Sequence, residues 1–234
     1  MVNLPAVDYV RYIQLRDKYE GKDIFETLDG LLNYDFKGEV ALVSSFGAES
    51  SVLLHVVSRV NKDIPIIFMN TLKLFDETIA YRDTLIERLG LTNVVTVEPD
   101  QALVAANDPD GDLWSKDTDA CCDIRKVQPL DKVINTYQAW ITGRKRFQSA
   151  TRATIEVLEW DQGRLKINPL AFWSQEQIDQ WMVDHELPAH PLTEQNYWSI
   201  GCVTCTAPIA AGQDRRAGRW AGQSKTECGI HVAK

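Results

Sequence analysis

Glu39-Val40-Ala41-Leu42-Val43-Ser44-Ser45-Phe46-Gly47-Ala48-Glu49-Ser50-Ser51 is the stretch from which the fold is read. Its first half is a short apolar run that stops abruptly at serine and glycine, as a buried parallel strand does. A helix follows, with Val52, Leu53, Val56, Val57 and Val60 spaced along one face. Strand, Ser/Gly turn and helix together set backbone N–H groups and hydroxyls at a helix N-terminus, an arrangement that holds phosphate. A plain βα turn uses the same residues for capping and tight geometry. The segment alone leaves both readings open.

Working outward, residues 8–34 read as two short helices with a mixed-charge surface. Downstream, Ile64-Pro65-Ile66-Ile67-Phe68-Met69 is a second strand ending at Asn70-Thr71. A helix over 76–89 turns Ile79, Leu85, Ile86 and Leu89 inward and stops at Gly90. Residues 93–97 form a third strand. Three successive βα steps predict an α/β fold with a doubly wound, mostly parallel sheet and ligands at the carboxyl ends of its strands. Both Ser44–Ser51 and Asn70–Leu74 fall at such ends.

Residues 98–120, rich in Asp, Asn and Gly, read as irregular, and Cys121-Cys122-Asp123-Ile124-Arg125-Lys126 enters a helix. A further strand, Ala139–Thr142, ends at the basic loop Gly143-Arg144-Lys145-Arg146-Phe147-Gln148-Ser149-Ala150-Thr151-Arg152. Val157–Trp160 and Leu165–Ile167 read as a hairpin. Ser174 with Gln177 makes a capping box for a helix that buries Ile178, Trp181 and Met182 and ends before Pro188. Near 207 the apolar periodicity stops, which divides the chain into an α/β domain over 1–206 and a mobile C-terminal tail over 207–234.

The 234 residues, 44% hydrophobic and 25% charged, suit one larger domain with an appended tail. No apolar run approaches the roughly 20 residues of a membrane span, and Met1–Asp8 lacks the basic head and apolar stretch of a secretory signal. A cytoplasmic protein is expected. A net charge of −8 argues against nucleic acid as partner. Yet Arg144, Lys145, Arg146 and Arg152 cluster without an acid. The tail likewise carries Arg215, Arg216, Arg219, Lys225 and Lys234 against Asp214 and Glu227. Basic patches on an acidic chain suit a small anionic ligand.

The five cysteines are an adjacent pair, Cys121-Cys122, a Cys202-x-x-Cys205 and Cys228. An odd count with this spacing is unlike a secreted disulfide framework and reads as metal or redox chemistry. Four thiolates from two segments can enclose one metal centre, zinc or iron–sulfur. Adjacent side chains on a helix diverge by about 100°, which suits separate corners of a 4Fe–4S cubane better than one zinc ion. A vicinal disulfide or unrelated buried thiols are the alternatives. Lys126, a helical turn beyond Cys122, has the charge to offset an anionic cluster or to reach a bound anion. Cys228 sits instead in the Gly-rich, charged tail Glu227-Cys228-Gly229-Ile230-His231. It reads as an exposed, mobile nucleophile carried on a lid.

Together, Ser44-Ser45-Phe46-Gly47-Ala48-Glu49, Cys121-Cys122 with Arg125-Lys126, the 143–152 loop, Cys202-x-x-Cys205, Arg216-x-x-Arg219 and the Glu-Cys-Gly-Ile-His tail resemble one family from about residue 38 onward. It is the iron–sulfur branch of the adenylyl-sulfate and phosphoadenylyl-sulfate reductases. The resemblance implies an adenine-nucleotide α-hydrolase-like fold and one 4Fe–4S cluster per subunit on Cys121, Cys122, Cys202 and Cys205. It also implies Cys228 as the nucleophile. The implied reaction is reduction of adenosine 5′-phosphosulfate to sulfite and AMP in sulfate assimilation, with thioredoxin or a glutaredoxin-like protein as donor. Ser44, Ser45, Gly47, Lys126, Gly143, Arg146, Arg152, Arg216, Arg219 and His231 are the implied substrate-binding residues. The four cluster cysteines point to the unphosphorylated substrate, with the 3′-phosphorylated one or dual use as the alternative, and a homo-oligomer is compatible with all of this.

Two departures stand out. The chain has Asn70-Thr71-Leu72 where related enzymes often carry Asp-Thr-Gly. Phe46 and Glu49 replace a Gly and the Asp of the Ser-Gly-Gly-x-Asp-Ser turn of the ATP pyrophosphatases, which disfavours ATP cleavage. An ATP-pyrophosphatase-type ligase or sulfurtransferase, and a metal-containing redox sensor, are the competing functions.

Overall fold

The computed structural model describes residues 6–223, 225 and 227–231. Met1–Pro5, part of the Met1–Asp8 stretch read against a secretory signal, and Ser224, Thr226 and Val232–Lys234 of the tail are outside the described residues. Helices α1 (Tyr9–Tyr19) and α2 (Ile24–Gly30) start at Asp8 and Asp23, whose carboxylates accept backbone N–H groups that a helix start leaves open. A π-helical turn, Leu31–Asp35, leads to β1 (Val40–Ser44). After the serine turn come α3 (Ser50–Ser58), β2 (Ile66–Met69), α4 (Asp76–Leu89) and β3 (Val94–Val97). Val60 lies beyond α3, and α3 itself is buried nearly all round rather than along one face.

Residues 98–120 are not irregular: α5 (Gln101–Asn107), α6 (Leu113–Lys116) and α7 (Thr118–Cys122) lie there. The aspartates that suggested loop are helix starts. Asp100 accepts from Ala102 and Leu103, and Asp117 from Ala120, the side-chain competition that favours Asp at caps over helix interiors. A π-helical turn at Asp123–Val127 joins α7 to α8 (Gln128–Ile134). Then follow β4 (Ala139–Ile141), β5 (Leu158–Asp161), β6 (Arg164–Ile167) and α9 (Gln175–Asp184), the last with the expected Ser174/Gln177 capping box.

Among the described residues six strands form one sheet in the order β3-β2-β1-β4-β6-β5, parallel except for the β5–β6 hairpin. Side chains alternate between faces, as a pleated strand requires. Leu42, Ile66, Phe68 and Ile141 enter the larger core, and Ala41, Ile67, Met69 and Trp140 enter a second core with Leu130 and Ile134 of α8. The chain winds one way from β1 to β2 and β3 and the other way to β4. The order therefore reverses between β1 and β4, and a crevice opens beyond their carboxyl ends.

Gly90 ends α4 at φ +63°, in the left-handed region that glycine adopts without strain. A Cβ there would meet nothing nearer than Lys62 Nζ at 3.8 Å, so only the backbone resists substitution. Gly90→Ala is expected to cost about 1 kcal/mol in urea unfolding.

Candidate active site

A cavity of about 400 Å³ fills the crevice. Ser44 and Ser45 reach it from β1, Met69 from β2, and Thr142 and Gly143 from the end of β4. The turn is tight because Phe46 adopts φ +49° and buries its ring edge-on to Phe68, centroids 5.3 Å apart. The Phe46 N–H donates to Ser44 Oγ at 3.1 Å. Gly47 follows under the 200-loop, where a Cβ would approach Ile200 O to 3.2 Å.

The cavity wall is strongly basic. Lys126, Lys145 and five arginines line it against Glu49 and Asp214. Several cations have fixed duties. Lys145 Nζ donates to Glu49 Oε2 at 2.8 Å, and Gln175 Nε2 donates to Glu49 Oε1 at 2.9 Å. Burial pushes the Glu49 carboxyl up, but Lys145, Gln175 and Arg215 outweigh it and hold the group below the usual carboxylate range. Arg144 pairs with Glu159 from β5. Burial, with Arg152 nearby, draws Arg216 down to about 10. Arg219 lays its guanidinium over the Trp220 ring at 4.4 Å and against Gly201, where a Cβ would come within 2.6 Å of it.

Ten of the substrate or nucleophile candidates, Arg146 being the exception, line this one cavity. Arg146 turns away: its Nε donates to Ile155 O at 2.7 Å, its Nη2 pairs with Glu156, and its guanidinium lies 4.0 Å over Phe172. Its neighbours Arg144 and Lys145 line the cavity instead.

The tail is folded inward. Glu227 receives Arg152 in a two-pronged pair, Nε–Oε1 2.6 Å and Nη2–Oε2 2.7 Å, and its Oε1 also accepts from Ser149 and Thr151. Burial pushes the Glu227 carboxyl up, and Arg152 and Arg216 pull it below the usual range. Gly229 passes so close to Val127 that a Cβ would sit 3.0 Å from Cγ2, so any larger residue beside Cys228 would press on that side chain. Ile230 packs into the second core, and the His231 ring lies nearly parallel to that of Trp140, 13° off with centroids 5.9 Å apart. Burial and the charges of Arg152, Arg144, Lys166 and Arg216 keep His231 neutral, well below its ordinary pKa.

Cys228 is therefore half-buried rather than exposed. It lines the cavity and packs against Cys202, Cys205 and Trp220. A hydrogen bond from the Cys122 thiol, the charges of Lys126 and Arg219, and the Ile230 N–H together hold its pKa well below that of an ordinary thiol against burial. Lowering a thiol's pKa favours its thiolate, the reactive form, and Cys228 faces a cationic cavity.

The other four cysteines are free and buried. They line one small adjoining cavity together with Thr71, Lys73, Arg125, Lys126 and Trp220. Thr71 Oγ1 lies 3.2 Å from Cys202 Sγ. Burial pushes the Cys121 thiol up, and the hydrogen bond to Cys228 followed by burial does the same to Cys122. Among the described residues no three His, Cys, Asp or Glu side chains are gathered closely enough to grip a single metal ion. Four thiols facing one space beside several cations are, by donor type, the soft sulfur set that zinc or iron–sulfur centres use.

With that geometry in view, the relatives are informative. The phosphoadenosine phosphosulfate reductase domain family matches residues 39–208. Adenosine 5′-phosphosulfate reductase of Mesorhizobium japonicum is 49% identical, over 85% of this chain and 78% of that protein. The reductase of the same name from Streptomyces coelicolor is 41% identical over 78% of each chain, and phosphoadenosine 5′-phosphosulfate reductase of Gloeobacter violaceus is 40% identical over 84% of each. The crystal structure of phosphoadenylyl-sulfate reductase from Candida auris shares the fold, with a TM-score of 0.72 at 22% identity over 86% of this chain and 98% of that one. The chain belongs to the phosphoadenosine phosphosulfate reductase family. No helix among the described residues is long and apolar enough to cross a membrane.

Glu227, Trp140 and the Lys145–Glu49 pair were not assigned roles from the sequence. Glu227 carried a usable signal, as a lone acid beside the candidate nucleophile in a basic tail. Trp140 carried none, since a tryptophan inside a strand reads as core.

Proposed function

We propose that the protein reduces adenosine 5′-phosphosulfate to sulfite and AMP in the cytoplasm during sulfate assimilation, using a dithiol protein such as thioredoxin. The observation that carries this reading is the position of Cys228, between a basic cavity at the sheet's switch point and a second cavity lined by four thiols. The AMP part would lie over the 44–51 turn, where N–H groups and hydroxyls gather at the start of α3. Lys126, Arg152, Arg216 and Arg219 neutralise the phosphosulfate, which otherwise repels an attacking thiolate.

Cys228 Sγ attacks the sulfate sulfur, a sulfur–sulfur bond forms, and the sulfur–oxygen bond to phosphate breaks with its electron pair leaving on AMP. A donor thiolate then attacks Cys228 Sγ, and sulfite departs with the electrons of the broken sulfur–sulfur bond. The donor's second thiol resolves the mixed disulfide and returns Cys228 as a thiol. The donor is oxidised to a disulfide and the sulfur is reduced by two electrons. This cycle asks residues 207–234 to act as a lid on the 1–206 domain, closing for attack and opening to meet the donor.

Cys121, Cys122, Cys202 and Cys205 are the residues that would hold a 4Fe–4S cluster. Bound there, it supplies an anionic, sulfur-rich centre that joins α7 to the 202–205 loop and offsets the charge of Lys126. Phosphoadenosine phosphosulfate is the second candidate substrate, since a relative of that name is nearly as similar as several named for the unphosphorylated one. Anaerobic purification with iron and sulfide analysis, followed by sulfite release from both nucleotides, tests the reading. Four irons and four sulfides per chain, with sulfite formed from adenosine phosphosulfate, are expected. Zinc without iron contradicts the cluster, and pyrophosphate from ATP in place of sulfite contradicts the reductase.

A further inference from the structure

Trp140 is the β4 side chain that faces α8, while Ala139 and Ile141 on either side face the larger core. Its orientation is fixed from outside the site. The indole Nε1 donates to Asp161 Oδ2 at 3.1 Å, and Lys166 Nζ lies 3.3 Å from the same oxygen and 4.8 Å from the indole centroid. Trp140, Asp161 and Lys166 are absent from the wall of the large cavity. Together they form a rigid bracket contributed by β4, β5 and β6. On that bracket rest the two residues that end the described tail, His231 against the indole and Ile230 in the same apolar cluster.

We infer that this Trp140 bracket is the seat on which the catalytic tail docks, and that Trp140 is a positioning residue for Cys228. The link is short: His231 lies three residues beyond the nucleophile, and its N–H donates to Cys228 O at 3.0 Å, closing the turn that carries Cys228. Attack on a bound sulfate requires the seated tail, whereas reaction with any bulky outside reagent requires the released one. Weakening the seat therefore moves the two reactions in opposite directions, which general damage to the fold does not. The inference rests on the reductase reading for the identity of the seated reaction, and docking itself is independent of that reading.

The test uses the full-length, anaerobically purified protein with Trp140→Leu and Trp140→Phe. One measurement is the rate at which a polyethylene-glycol maleimide, too bulky for the cavity, alkylates Cys228 without substrate, followed by the mass of its peptide. The other is the single-turnover rate of S-sulfonate formation on Cys228 from adenosine phosphosulfate. Loss of the aromatic contact is expected to raise the first about tenfold and lower the second about tenfold. AMP affinity should stay within about twofold, and discharge of preformed S-sulfonate by thioredoxin should not slow, because it needs the released tail. Trp140→Phe, which keeps a ring face, should recover most of the seated rate. If Trp140→Leu does not fold, Lys166→Met reads the same pair of rates with changes of about threefold. Unchanged alkylation in a folded variant overturns the inference, as does a fall in S-sulfonation matched by an equal fall in AMP affinity. Faster alkylation in a protein that forms no S-sulfonate, mutant or wild type, leaves the seat standing and removes the reductase.

Discussion

Cys228→Ser is expected to lower sulfite release by roughly 10⁶-fold, the scale of losing a nucleophile outright. Serine cannot substitute. Its hydroxyl stays protonated in surroundings that suffice to ionise a thiol, and an oxygen cannot form the sulfur–sulfur bond that the donor later cleaves. The variant should keep its iron, because Cys228 packs against Cys202 and Cys205 but is not among the residues that line the four-thiol cavity, and serine keeps its size. It should also keep its affinity for AMP, because the turn at 44–51 and the cavity's cations are untouched. A redox sensor would respond differently: with cluster and nucleotide binding intact, its function would survive. Comparing turnover, iron content and AMP binding in one preparation separates the two.

Asp108→Ala is expected to be the most destabilising of the substitutions considered, by about 3–5 kcal/mol. Asp108 and Arg125 form a buried ion pair with Nη2–Oδ2 at 2.7 Å and side-chain exposures of 0% and 7%. Arg125 also donates to Thr71 O, and Asp108 accepts the Leu113 N–H at 2.9 Å. Alanine would strand the guanidinium in the interior and uncap the turn into α6. Burial pushes the Asp108 carboxyl up, but the Leu113 N–H and Arg125 overcome it and hold the group below its ordinary range. A depressed carboxylate stabilises the fold in full above its unfolded pKa of about 4, and that contribution is lost as pH falls through the lower folded value. Urea unfolding should therefore show the deficit of Asp108→Ala in full at pH 7 and a shrinking one in acid. Because Arg125 also lines the four-thiol cavity, metal retention should weaken along with stability.

Much of this architecture could be read from local pattern. The run Val40–Ser44 and its serine turn announce a βα unit, and Gly90 and the Ser174/Gln177 pair mark helix ends, because caps and buried strands are written in neighbouring residues. The 98–120 segment hides its helices in sequence because Asp serves loops and helix starts alike, and only hydrogen-bond partners distinguish them. Arg146 lies off the cavity for a related reason. Four basic residues in one loop look equivalent in sequence, and which of them faces the cavity depends on Glu156 and Phe172 arriving from elsewhere in the chain. The tail shows the same limit. Its composition suggested exposure, yet Glu227, Ile230 and His231 each find a partner contributed by a distant segment.

Leu72 adds a detail that composition does not carry. It adopts φ +59° and its side chain is exposed. The backbone thus makes a left-handed turn after Thr71 with a residue that does not favour it. The turn carries Thr71 to Cys202 and Leu74 to the cavity wall.

The most direct test of the account is the mass of the Cys228 peptide after anaerobically purified protein meets adenosine phosphosulfate with no reductant present. The account predicts one SO₃ group on Cys228, a matching amount of AMP, and no sulfite until thioredoxin is added. AMP released while Cys228 remains unmodified, or SO₃ carried on another cysteine, would contradict it.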